Sequence, residues 1–110
     1  MKIAVPVAGN LLCMHFGHCE VFSIFDTEGN SIRKKEELVP PPHEPGLLPA
    51  WLAEKKVDAI IAGGMGQRAQ ALFQQSGIKV VTGAPAEKPE TVVKSFLENT
   101  LVTGSNACDH

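Results

Sequence analysis

The chain has 110 residues, 44% of them apolar, and a formal net charge of −2. That supports one compact domain with its own core, and it leaves no basic footprint for nucleic acid or an acidic membrane surface. Only 5% of the residues are aromatic and Tyr is absent, which argues against a base-stacking platform.

The opening MKIAVPVAGN has one Lys and a short apolar run. It is too short for a secretory signal core with its cleavage site, and far too short for a bilayer span. The expectation is a cytoplasmic protein. Within it, residues 2–8, KIAVPVA, form a β-branched run suited to a buried strand. Pro6 cannot donate to a ladder and hints at a strand end or a bulge. Residues 9–18 read as a loop, and CEVFSIFD (19–26) as a second strand. TEGN (27–30) is a turn, and SIRKKEELV (31–39) returns as a charged edge strand, where charge discourages mispairing.

PPPHEPG (40–46) is neither helix nor strand but a polyproline-flavoured connector. His43 within it reads as a solvent-exposed residue. Beyond it Leu47, Leu48, Trp51 and Leu52 fall on one helical face. VDAIIAG (57–63) is a short buried strand. A helix follows, with Ala69, Leu72 and Phe73 inward and Gly77 as its stop. IKVVTGA (78–84) is another strand. Pro89 suits the first turn of a last helix carrying Val92, Val93, Phe96 and Leu97. The strand–helix–strand unit over 57–82 demands a right-handed parallel crossover, and the front hairpin adds antiparallel strands. The order predicts an α/β fold with a five-stranded mixed sheet and flanking helices. It occupies residues 1–101 as a single domain, with 102–110 as a flexible tail.

Chemistry concentrates in LLCMHFGHCE (11–20), which places Cys13, His15, His18 and Cys19 within seven positions. Thiolate and imidazole are soft and borderline ligands for zinc, copper and iron–sulfur units. With three cysteines and no secretory signal, metal or redox chemistry is a better reading than a disulfide framework. The tail adds Cys108 and His110; folded across the 11–20 loop, it would gather all three thiols. The plainer alternative is a small buried Cys and solvated His side chains. The spacing is not that of a zinc finger, and no Cys-x-x-Cys occurs.

AGGMGQRA (62–69) sets Gly63, Gly64 and Gly66 between a strand and the first turn of a helix. Backbone N–H groups and the helix dipole make such a junction an anion site. Close helix–strand packing is the alternative use of the glycines. Gly64-x-Gly66-x-x-Ala69 matches the loose dinucleotide pattern, but late in a short chain rather than in an opening unit. Gln67 and Arg68 stand where a P-loop needs Lys and Ser/Thr. No nucleophile motif is present, and Asp26 and Asp58 lie at strand ends, unsuited to a two-metal nuclease. An enzyme is not expected.

MKIAVPVAG, HFG and VDAIIAGGMGQRAQALFQQSGIKVVTGA together resemble the dinitrogenase iron–molybdenum cofactor biosynthesis family, which includes NifX, NafY and the C-terminal part of NifB. The similarity runs to about Leu101. It implies a ribonuclease-H-like α/β fold without the nuclease carboxylates. It also implies binding, carriage or storage of an anionic metal–sulfur cluster or cofactor precursor, iron–sulfur or molybdenum-containing, passed between donor and acceptor proteins. By this resemblance His15 matches the His of HFG, and Gly64, Met65 and Gly66 form the glycine segment that cradles the cargo. Cys13, His18, Cys19, Cys108 and His110 are metal-ligand candidates beyond the common pattern. The orange proteins, which carry a molybdenum–copper sulfide cluster, are relatives and make a mixed-metal sulfide an option. Two alternatives stand beside this reading: a zinc-binding structural or regulatory module on Cys13, His18, Cys108 and His110, and a nucleotide-binding protein using the 62–69 loop.

Overall fold

The computed structural model of the chain describes residues 1–16, 19–41 and 46–104. Strand β1 (Lys2–Ala8) runs through the middle of the sheet, and β2 (Leu11–Leu12) folds back on its end. β3 (Val21–Glu28) and β4 (Ser31–Leu38) form a hairpin across the Gly29–Asn30 turn. Helix α1 (Leu47–Glu54), β5 (Ala59–Ile61), α2 (Gln67–Gln75), β6 (Lys79–Val81) and α3 (Pro89–Leu97) complete the order.

The strands lie in the order β4-β3-β1-β5-β6, with β2 paired to β1 off that path. β1 is antiparallel to β3 and parallel to β5, and β5 is parallel to β6. The sheet is therefore mixed, as expected, but holds six strands. The additional one, β2, is only two residues long, inside what reads as loop. Its pairing rests on the non-local neighbours Val7 and Ala8. β3 starts at Val21, not Cys19, and β5 and β6 keep only three residues each of their predicted runs, Ala59–Ile61 and Lys79–Val81.

Pro6 is not a strand end. It pairs with Phe22 inside β1, and its carbonyl accepts the Cys13 N–H at 2.8 Å. On that edge β1 changes partner, from β5 opposite Ala4 to β2 opposite Val7. The missing donor falls in the changeover, where no regular ladder bond is required.

Alternation along the strands splits the core in two. Ala4, Phe22, Ile24 and Ile60 face one side and are covered by Leu48 and Leu52 of α1 and Phe73 of α2. Ile3, Val5, Phe25 and Ile61 face the other and meet Val92 and Val93 of α3. Phe73 is fully buried, and burial of such a side chain stabilises by about 2–3 kcal/mol. Ala69 and Leu72, expected beside it, are only half-buried. Gly77 ends α2 with a positive φ of 80°, a conformation glycine adopts without a Cβ penalty. Asp26 lies within β3, where it is exposed between Lys2 and Lys34 of the flanking strands. Asp58 precedes β5 and accepts the Lys2 N–H at 2.8 Å. Asp26 is thus inside a strand rather than at its end, whereas Asp58 lies just before one.

Candidate functional site

Loops leaving β1, β5 and β6 gather at the carboxyl ends of these three parallel strands, the end at which open α/β sheets bind ligands. Residues 13–16 lie against residues 63–64. The Phe16 N–H donates to the Gly64 carbonyl at 3.0 Å. A Cβ built on Gly63 would sit 2.8 Å from Met14 Cα, 3.1 Å from Met14 Sδ and 3.2 Å from the Cys13 carbonyl oxygen. Gly63 is thus glycine because another backbone occupies its side-chain space. The φ of Gly63 lies outside the left-handed region, so conformational freedom is not the reason.

Four further bonds fix this arrangement. Cys13 N–H reaches Pro6 O and Glu20 N–H reaches Val7 O, each at 2.8 Å, so both ends of the loop hang on the same strand. Leu12 N–H donates to Glu87 O at 2.9 Å, and Gly83 N–H donates to Gly63 O at 2.8 Å. The Phe16 ring then plugs the loop into the core, edge-on to Phe22 at 6.0 Å and to Phe73 at 5.6 Å between centroids.

These contacts decide where the donors lie. Cys13 is buried at 7% exposure, and its thiol donates to the His15 carbonyl at 2.9 Å. Cys19 is half-buried against the cluster that holds Phe22, Met65 and Phe73. Burial pushes the Cys19 thiol up to about 11, and the neighbouring Cys13 adds to the rise. Cys19 therefore favours the neutral thiol until a metal displaces the proton. His15 is exposed and Met65 is fully buried. Gly64 is buried, whereas Gly66 is exposed at the N-cap of α2, where it has no side chain to bond the first turn. The Gln70 side chain donates to Met65 O at 2.8 Å and braces the turn.

Cys13, His15 and Cys19 thus share one loop, packed beside the residue 63–66 segment and the start of α2. His18, His43, Cys108 and His110 lie outside the described residues. Among the described residues no three Cys, His, Asp or Glu side chains group closely enough to hold a metal ion. Two features of the site escape sequence inspection. Met14 seats its sulfur over Gly63, and Gly83, with φ 79°, packs against Gly104, whose N–H donates to Gly83 O at 2.7 Å. Close glycine spacing is the only signal of either, and it does not name the partner.

The profile of the family described as dinitrogenase iron-molybdenum cofactor matches residues 1–99. The chain belongs to that family. An uncharacterized protein of Methanocaldococcus jannaschii is 38% identical over 106 residues, covering 92% of this chain and 89% of that protein. The crystal structure of PH0822 superposes with a TM-score of 0.86 at 28% identity, over 94% of this chain and 96% of that one. The apo form of the orange protein from Desulfovibrio gigas superposes with a TM-score of 0.74 at 22% identity, over 96% of this chain and 93% of that one. At that identity the likeness is one of fold. No helix among the described residues is long and apolar enough to cross a membrane.

Proposed function

We propose that the protein binds and hands on an anionic metal–sulfur cluster or cofactor precursor, and that it is a carrier in the cytoplasm rather than an enzyme. The observation that carries this reading is the bond from Phe16 N–H to Gly64 O, which clamps the Cys13–His15 segment to the glycine turn that opens α2. A metal–sulfide cluster is polyanionic. The α2 start at Gly66 offers it backbone N–H groups and the positive end of the helix dipole. Exposed His15 adds a donor or a positive charge, and Cys13 and Cys19 offer thiolates to exchangeable metal positions. The neutral Cys19 thiol suits transfer, because a ligand that must lose a proton to bind regains it on release.

Cys108 and His110 belong to the same proposal. Gly104 is bonded to Gly83, and Gly83 to Gly63, so the chain reaches the rim of the site four residues before Cys108. The hairpin followed by parallel strands, in the order β4-β3-β1-β5-β6, fits the ribonuclease-H-like class that the family resemblance implies. Donor and acceptor proteins for the cluster are the expected partners.

The test is anaerobic loading with a preformed iron–sulfur or iron–molybdenum–sulfur cluster, followed by metal analysis and an absorption spectrum. Wild type should retain metal and show charge-transfer bands. Cys13→Ser with Cys19→Ser should fold and lose them, and His15→Ala should retain less. Unchanged metal content in the double variant defeats the proposal, and a colourless zinc complex in wild type favours the structural zinc module. Nucleotides should leave the melting temperature unmoved. A nucleotide at 100 times its dissociation constant would add about 2.7 kcal/mol of stability.

A further inference from the structure

We propose that Met14 is a direct metal donor, and that Cys13, Met14 and Cys19 together take a soft monovalent cation of the copper(I) class. The inference rests on the reading of this loop as the metal-handling site.

Met14 stands between Cys13 and His15 and keeps 40% of its surface exposed, while Leu12 and Met65 nearby are buried at 2% and 0%. It is not a loose surface chain. Its Cα and its Sδ both press on Gly63, within 2.8 and 3.1 Å of where a Cβ would stand. The backbone of Gly63 lies outside the left-handed region, so its missing side chain serves the seat of Met14 and Cys13 and not a turn. The result is a thioether held on a rigid strand–helix junction with part of its surface open to solvent. The other two sulfurs of the loop, Cys13 and Cys19, belong to the same short excursion, whose two ends hang on Pro6 and Val7.

The donor chemistry selects the ion. A thioether is neutral and weakly basic; hard and borderline divalent ions gain little from it, whereas copper(I) and silver(I) bind it together with thiolates. Filled-shell monovalent ions are also satisfied by linear or trigonal coordination. The described residues assemble no cluster of three Cys, His, Asp or Glu side chains, the set a borderline ion would use, but the short loop carries a thioether on the residue next to Cys13 and five positions before Cys19. Met65 is enclosed in the core beneath and takes no part.

The experiment is anaerobic titration of the reduced protein with copper(I) against bicinchoninate and with silver(I), using cobalt(II) as the borderline reference. Met14→Leu keeps the volume and the seat on Gly63 while removing the sulfur. It should weaken copper(I) and silver(I) at least tenfold, leave cobalt(II) unchanged and leave the unfolding midpoint in place. In wild type labelled at its three methionine methyls, silver(I) should shift the Met14 resonance and leave Met1 and Met65 in place. Met14→Leu with wild-type copper(I) affinity, or a Met14 methyl that silver(I) does not move, overturns the inference. If Cys13→Ser with Cys19→Ser then abolishes copper(I) binding, the thiol site itself stands. If that double variant keeps wild-type affinity, the loop is not a metal site, and the inference falls together with the carrier reading.

Discussion

Two ends of the sheet show opposite ways of holding a loop. At the β3–β4 end the chain turns at Gly29–Asn30 between directly paired neighbours, Glu28 with Ser31 and Thr27 with Ile32. Everything that shapes the turn lies within a few residues of it. At the other end, residues 13–20 are held by Pro6, Val7 and Gly64, with Glu87 bonded to Leu12 just before them. None of these partners is adjacent in sequence to what it holds. A turn shaped locally needs only its own residues, and its surface is free to carry charge for solubility. A loop shaped by distant partners can hold sulfur and imidazole in a fixed place, but any change in those partners reaches the donors.

Substituting the glycines at the two ends should break this comparison most sharply. Gly63→Val forces a side chain into the Met14 backbone, and overpacking against backbone should cost about 3 kcal/mol in urea unfolding together with loss of cluster retention. Gly29→Ala meets no atom within 4 Å and strains only a φ of 60°. It should cost about 1 kcal/mol and leave retention intact. Equal losses at the two sites would show that residues 13–16 do not depend on Gly63.

Phe16→Ala comes next. The ring is half-buried between Phe22 and Phe73, so the loss should be about 2 kcal/mol, below the range for a fully buried Phe. Because Phe16 plugs the loop into the core, reaction of Cys13 and Cys19 with a disulfide reagent should also accelerate. Stability loss without faster thiol reaction would separate the plug from the donors.

A pH series sharpens the same point without mutation. Cys19 is lifted from 9.0 to about 11 by burial, with Cys13 contributing. The folded state thus holds a proton that the unfolded state gives up earlier. The associated stability is fully present below 9.0 and is lost as pH rises toward about 11. Alkylation of Cys19 should follow the same late rise, and Cys13→Ser should move it to lower pH. A Cys19 that titrates near 9.0 would mean the thiol is not enclosed.

The smallest effect belongs to the hairpin. Lys35 pairs with Glu90 at 3.0 Å on an open surface. The Glu90 carboxyl is held below its ordinary range first by its own backbone N–H and then by Lys35. That contribution is present at neutral pH and fades as pH falls through the lowered value. A double-mutant cycle on the pair should return no more than about 0.5 kcal/mol, with no change in metal retention.

The same contrast explains what the sequence made legible. The β-branched run of residues 2–8, the 29–30 turn, Gly77 after α2 and Pro89 at the start of α3 are local signals, and each element stands where its signal lies. The helical stripes were legible for Leu48, Leu52, Val92 and Val93, because period alone selects the inward face. β2 was not legible, since two residues carry no period and its pairing is set by Val7 and Ala8. Pro6 misled because its tolerance depends on where a neighbouring strand stops. In the site, Cys13, His15 and Cys19 stood out by residue type, and Gly63, Gly64 and Gly66 by crowding. That the two groups touch, with Met14 between them, is a fact of tertiary packing written in neither segment alone.

The route of residues 101–104 bears on how the molecule can be handled. Gly104 lies against Gly83, whose own N–H bonds Gly63, so residue 104 itself sits beside the binding loops. Met1 lies at the far end of β1, its ammonium bonded to Thr27 O at 2.9 Å, roughly 20 Å away along the strand. A purification tag or a surface linker belongs at the amino end, because a polyhistidine at the carboxyl end follows Gly104 by only six residues and would scavenge the very metal being measured.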